Sequence, residues 1–275
     1  MNKIKAPLST KPLAAPDLVK MKQKGRAIAM LTAYDFYTAR TLDEIGIDGL
    51  LVGDSANMVF YGEKSTLSIT LDQMIYHTQA VSRAVKRALV IGDMPFMSYQ
   101  ASVEDAVRSA GRMIKQGRAA AVKLEGGEHL APTISKLVET GIPVMGHIGL
   151  VPQSIHQLGA FKMQGRDDRS AEYLKKSARA LQDAGCFAIV LEMVHADVAG
   201  EISRELTIPT IGIGAGPQCD GQILVTNDLL GLFEDFQPKF VRRYAHLAQE
   251  MRKACSRWLD DVKNRDYPSD DESYR

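Results

Sequence analysis

GLLVGDSAN, residues 49–57, is the stretch from which the fold is read. Leu50, Leu51 and Val52 run into Gly53, and an acid and a hydroxyl, Asp54 and Ser55, follow at once. The pattern recurs downstream. LVIGDMPF sets Asp93 at the end of an apolar run, AAVKLEGG does the same with Glu125, and FAIVLEM with Glu192. Short apolar runs bounded by turn residues read as strands buried on both faces, the signature of a parallel sheet. Parallel strands end on one face, so these four carboxylates are expected to converge there.

Working outward, β-type runs fall at 28–32, 50–52, 89–91, 120–124, 143–147, 188–191 and 209–213, with an eighth near 222–225. Helical spacing fills the intervals. A short helix over 17–24 stops at Gly25; Ser102 with Asp105 resembles a capping box opening a helix over 103–116; another spans 168–183 and ends at Gly185. A C-terminal helix is expected over about 238–262. Eight strand–helix repeats in this length predict a (β/α)8 TIM barrel, with an open doubly wound sheet as the competing arrangement. Residues 1–262 read as one barrel domain with an irregular lead-in over 7–16 before its first helix; 263–275 read as a polar, disordered tail. The weakly periodic segment 148–169 has the length of a lid or binding loop.

The 275 residues carry 34 basic and 33 acidic side chains, a formal net charge of +1, which gives no reason to expect a nucleic acid or an anionic membrane as partner. A small molecule is the expected ligand. Cys186, Cys219 and Cys255 are widely spaced and form no CxxC pair, which suggests neither a disulfide framework nor a thiolate zinc site and favours a reducing cytoplasm. The first residues are broken by Pro7, Pro12 and Pro16 and lead into no apolar signal-like segment, and no run approaches the length of a membrane span.

Asp54, Asp93 and Glu125 are hard oxygen donors without a histidine cluster, a set that suits Mg2+ better than zinc. The competing reading is that each acid caps a following helix. Lys123 and Glu125 are two apart on one run, so both face the barrel interior, where charge is costly unless paired or used. Lys123 is then either half of a structural ion pair or a ligand for a substrate carboxylate or carbonyl. Glu192 is flanked in sequence by Ile189, Val190, Leu191, Met193 and Val194; apolar surroundings disfavour a carboxylate's charge and strengthen it as a base. Its alternative is a carboxylate paired with arginine. His147 also ends a strand and is a candidate for substrate contact. GIGAG at 212–216 lacks the spacing and the downstream acid of a dinucleotide site and reads as backbone packing. Met94, Met97 and Met113 are expected to fill core gaps.

Seven segments taken together resemble the ketopantoate hydroxymethyltransferase family. They are LTAYD (31–35), VGDS (52–55), MIYHTQAVSR (74–83), GDMPFMSY (92–99), VKLEGG (122–127), PVMGHIGL (143–150) and IPTIGIGAGPQCDGQ (208–222), running in family order. The resemblance implies a barrel of the phosphoenolpyruvate/pyruvate type and a magnesium ion. It further implies transfer of a hydroxymethyl group from 5,10-methylenetetrahydrofolate to 3-methyl-2-oxobutanoate, giving 2-dehydropantoate in pantothenate biosynthesis. Matched residue by residue, Asp54 and Asp93 are metal ligands and Glu125 a third acid at the metal. Asp54, Ser55, Asp93 and Lys123 are substrate-binding positions, and Glu192 is the proton acceptor. The family resemblance also implies a homo-oligomer, a decamer.

The chain departs from the family pattern in places. Ala56-Asn57 replaces Leu-Gly, Val151 replaces Thr, and Met193 and His195 replace Cys and Pro. Asn57 and His195 are polar additions expected near the site, where they bear on substrate preference or rate. Two other functions stay open: a Mg-dependent 2-oxoacid carbon–carbon lyase of the same superfamily, whose KKCGH-type cysteine loop this chain lacks, and a non-catalytic binding barrel.

Overall fold

A computed structural model of the chain describes residues 11–159, 162–234 and 236–274. Residues 7–10 of the expected lead-in, 160 and 161 of the expected binding loop, and Arg275 of the expected tail lie outside them. Eight strands, β1 (Ile28–Thr32), β2 (Gly49–Val52), β3 (Leu89–Asp93), β4 (Ala121–Glu125), β5 (Val144–Gly149), β6 (Ala188–Glu192), β7 (Thr210–Ile213) and β8 (Gly221–Leu224), pair in that order. All are parallel and β8 returns to β1, closing the barrel. The sequence expectation of a (β/α)8 barrel therefore holds, and each strand lies within two residues of its expected ends.

Alternation along the strands divides the core in two. Leu51, Leu89, Ile91, Ala121, Met145, Ala188 and Val190 share the interior cluster. Leu50, Val52, Val90, Val122, Leu124, Val144, Ile189 and Leu191 pack outward with helical residues such as Met74, Ala110, Ile134 and Ile202. Because side chains repeat every second residue, the inward series continues upward into Asp93, Lys123, Glu125, His147 and Glu192. The charged layer thus crowns an apolar interior. At the other end, helix Ala15–Gln23 contributes Ala15, Leu18 and Met21 to the interior cluster, and Leu13 N donates to Arg87 O just before β3. Charges there are matched: Arg87 pairs with Asp48 at 3.1 Å, and Asp43 accepts from the backbone N–H groups of Lys86, Arg87 and Ala88.

The helices follow their local signals. Ser102 Oγ accepts from Asp105 N at 3.1 Å at the start of helix Val103–Lys115, and Asp167 caps Asp168–Asp183. Met94 and Met113 are fully buried, whereas Met97 is exposed with φ of 64°, so the turn after β3 turns it outward rather than into the core.

The chain divides into two compact units, 1–225 and 226–275. In the second, the helix expected from about Pro238 begins only at Leu247 and runs to Asn264. Tyr244 N and Leu247 N donate to Leu229 O and Leu230 O, which commits those amides to a loop rather than to a helical turn. The expected polar tail begins inside that helix and includes a 3-10 turn at Asp270–Glu272.

Candidate active site

Asp93, Glu125 and Glu192 are the last residues of β3, β4 and β6, and Asp54 lies two residues beyond β2. Strand register sets their spacing: Asp93 is opposite Lys123, Glu125 opposite His147, and Gly149 opposite Glu192. Carboxylate oxygens of Asp54, Asp93 and Glu125, all buried, lie within 4.8 Å of one another. Gly53 leaves room for the Ser55 hydroxyl, since a Cβ there would stand 2.7 Å from Ser55 Oγ. The helix-capping alternative fails for Asp54, which accepts from Gln153 Nε2 at 3.0 Å; its own N–H donates to Asp93 Oδ2 at 3.2 Å.

Lys123 is the cation of the group. Its Nζ donates to both oxygens of Asp93 at 2.7 and 2.8 Å and to Glu125 Oε1 at 3.2 Å. Burial alone would lower its pKa, but Asp93, Glu125 and Asp54 outweigh burial and raise it. For Glu125, Lys123 and His147 outweigh burial and hold its pKa down at about 2. Asp54 shows the opposite: burial, then repulsion from Asp93 and Glu125, push its pKa well above the ordinary carboxylate value. Three buried acids share one lysine, and Asp54 touches no cation among the described residues. That donor set, all oxygen with excess negative charge, fits a hard divalent ion.

His147 bridges the acids to Glu192. Its Nδ1 is 3.3 Å from Glu125 Oε1 and its Nε2 is 3.2 Å from Glu192 Oε2. Neither nitrogen is in line for a full hydrogen bond, so the contacts are electrostatic as they stand. Burial and Lys123 oppose a charge on the ring, yet the two carboxylates raise its pKa to about 9. Glu192 is accordingly not in the apolar setting suggested by its neighbours in sequence, and it pairs with no arginine among the described residues. Leu191 points to the helix layer, the Glu192 side chain is 19% exposed, and its partner is a histidine on the next strand.

Ser55 Oγ lies 2.8 Å from Tyr34 Oη at the same rim. Beside Glu125 opens a cavity of about 500 Å³ bordered by Phe96, His129, Val151, Gln153 and Tyr173. The two polar departures do not join the site. Asn57 is buried and spends its amide on Ser65 O and Ser68 Oγ, both at 2.8 Å, while His195 is exposed beside Asp197. Sequence reading missed Tyr34, Tyr99 and Gln153, because a neutral amide or phenol announces no chemistry until its partners are known.

Comparison with known proteins decides the family. The sequence profile described as ketopantoate hydroxymethyltransferase matches residues 12–270. The chain belongs to the ketopantoate hydroxymethyltransferase family. It is 53% identical over 261 residues to the 3-methyl-2-oxobutanoate hydroxymethyltransferase of Chlorobaculum tepidum, covering 94% of each chain. It is 52% identical over 256 residues to the protein of the same name from Clostridium botulinum, covering 93% of each. As a ketopantoate hydroxymethyltransferase family member the chain is an enzyme, a hydroxymethyl-transferring transferase. Among solved structures it resembles 2,3-dimethylmalate lyase, described as a PEP mutase/isocitrate lyase superfamily member. The TM-score is 0.60 at 17% identity, over 96% of this chain and 93% of that one. It also resembles phosphoenolpyruvate phosphomutase from Streptomyces platensis, with a TM-score of 0.62 at 12% identity over 92% and 88% of the chains. These two likenesses show the fold alone, a barrel of the same kind.

Proposed function

We propose that the protein transfers a hydroxymethyl group from 5,10-methylenetetrahydrofolate to 3-methyl-2-oxobutanoate, forming 2-dehydropantoate, with Mg2+ held by Asp54, Asp93 and Glu125. The observation that carries this reading is the convergence of those three buried acids, with Lys123 among them and Glu192 one histidine away. When bound, the magnesium ion supplies Lewis-acid stabilisation to the keto oxygen of the substrate.

The chain's own residues do the rest. Glu192, partly exposed at the rim, takes the proton from the carbon beside the ketone. His147, charged through its two carboxylate neighbours, holds Glu192 in place. Lys123, with the Ser55 hydroxyl, faces the substrate carboxylate and offsets the negative charge that develops at the enolate. Water releases the one-carbon unit of the folate as formaldehyde and tetrahydrofolate departs; the carbon nucleophile attacks that formaldehyde, and the alkoxide formed takes the proton that Glu192 had removed.

Residues 1–262 are proposed to act as one catalytic domain, since the family match runs through both compact units without a break. A homo-oligomer, a decamer by family resemblance, is proposed on the exposure of Met251, Trp258, Leu259 and Val262 along helix Leu247–Asn264, which buries none of its residues. Light scattering on the purified protein tests it. No helix among the described residues is long and apolar enough to cross a membrane. Three free cysteines support a cytoplasmic location. The reaction is tested by following 2-dehydropantoate with purified protein, both substrates and Mg2+. The proposal expects turnover that EDTA abolishes and added Mg2+ restores; metal-independent turnover would count against it.

A further inference from the structure

One residue ties two of the three acids together. Gln153 sits in the 3-10 turn Pro152–Ser154 that follows β5, and it is buried. Its side-chain Nε2 donates to Asp54 Oδ2 at 3.0 Å and to Met94 O at 2.9 Å. Its backbone N–H donates to Glu125 Oε2 at 3.0 Å. The amide cannot be turned over without loss. Its Oε1 accepts from Tyr99 Oη at 2.7 Å and from Gln100 Nε2 at 2.9 Å, so a flip would set oxygen against a carboxylate and a carbonyl, and NH2 against two donors. Tyr99 Oη in turn accepts from Glu125 N at 3.0 Å, fixing the end of β4.

We propose that Gln153, locked by Tyr99, is the positioning residue that presets Asp54 and Glu125 for the divalent cation. Gln153 occupies Asp54 Oδ2 and Glu125 Oε2, which leaves Asp54 Oδ1 for the ion and keeps Glu125 Oε1 on the side of Lys123 and His147. It thereby gives the otherwise unpartnered Asp54 a fixed direction without adding a charge. Charge, burial and geometry divide between residues here: Lys123 balances Asp93, and Gln153 aims the acid that Lys123 does not reach.

The inference rests on the metal reading of the site, and the experiment separates the two. Mn2+ binding to the full-length protein is measured without substrates, by calorimetry or by loss of the free-ion paramagnetic signal, for the wild type, Gln153→Leu and Tyr99→Phe. Circular dichroism confirms that each is folded. Loss of a partner that orients a ligating side chain weakens metal binding by about 10–100-fold, which is the expectation for Gln153→Leu. Tyr99→Phe keeps the amide but removes the hydroxyl that bonds both Gln153 Oε1 and Glu125 N, and a roughly 5–150-fold loss is expected from two neutral hydrogen bonds. For Gln153→Leu, saturating Mg2+ is expected to restore most of kcat, because the defect is in holding the ion. Should Gln153→Leu fail to fold, Tyr99→Phe decides. A folded variant that binds Mn2+ like the wild type overturns the proposal; a wild type that binds no Mn2+ overturns the metal reading instead.

Discussion

Replacing Lys123 with methionine keeps an unbranched side chain one atom shorter and removes the one lysine of the acidic layer. Its Nζ lies 2.7 Å from Asp93 and 3.2 Å from Glu125, and all three side chains are at least 96% buried. Removing one partner of a buried, hydrogen-bonded pair leaves an uncompensated charge and costs about 3–5 kcal/mol. At roughly 2–4 °C per kcal/mol for a unit of this size, Lys123→Met is expected to melt about 6–20 °C lower in EDTA. Saturating Mg2+ should recover much of that loss, because a bound cation replaces the missing charge; the Mg2+-induced rise should exceed that of the wild type.

The pH dependence has a definite sign. In the wild type, the pKa of Lys123 is raised, so its contribution is lost only as pH climbs through that raised value. Glu125, held at about 2, contributes stability that is present above its ordinary value of 4.5 and lost as pH falls toward 2. Across neutral pH these two groups add no slope, whereas His147, raised from 6.5 to about 9, loses its contribution as pH climbs through that value. In the variant the uncompensated acids have raised values, so the melting deficit should grow from about pH 5 to about pH 8 as they are forced to ionise. Differential scanning calorimetry in EDTA and in Mg2+ makes the measurement. An unshifted melting temperature in EDTA would refute the view that the layer is electrostatically strained without a cation.

Three further outcomes follow from the same geometry. Mg2+ affinity should fall as pH is lowered, approaching tenfold per unit where one proton is displaced, because burial and then Asp93 and Glu125 raise the Asp54 pKa and its proton must leave; calorimetric titration over pH reads this. Gly149→Ala would put a Cβ 2.2 Å from Glu192 O at a φ of 100°, so it should cost more than the roughly 1–3 kcal/mol of a strained backbone and misplace Glu192, seen as a lower melting temperature and a lower kcat. Asn57→Ala removes two 2.8 Å bonds to Ser65 and Ser68 and should destabilise by about 1–3 kcal/mol, with faster hydrogen exchange over residues 60–70.

The barrel was legible because its strands are buried on both faces, so each reads as an apolar run with an acid at the end. Lys123 and Glu125 could be placed on one inward face from alternation alone, and Asp93 at the same end of the barrel as the last residue of an apolar run. The surroundings of Glu192 could not, because residues beside it in sequence point the other way and its partner His147 arrives through register with β5. Asn57 misled for the same reason: a polar residue three positions after Asp54 in sequence turns to a loop eight and eleven residues on. Met97 was read as core, but the left-handed turn after β3 exposes it. The start of the C-terminal helix was misjudged because helical composition over 238–246 says nothing of amides already committed to Leu229 and Leu230. Gln153 was invisible for want of any residue-type signal, and only its five hydrogen-bonded neighbours give it a role.

The central claim is that Glu192 removes a proton from a 2-oxoacid held at the Asp54–Asp93–Glu125 site. Proton exchange at C3 of 3-methyl-2-oxobutanoate in D2O, followed by NMR with and without tetrahydrofolate, tests it most directly. The account predicts exchange with the wild type and Mg2+ that is lost in EDTA and lost in Glu192→Gln at saturating Mg2+. Exchange that survives in Glu192→Gln, or none from the Mg2+-loaded wild type even with tetrahydrofolate present, would contradict it.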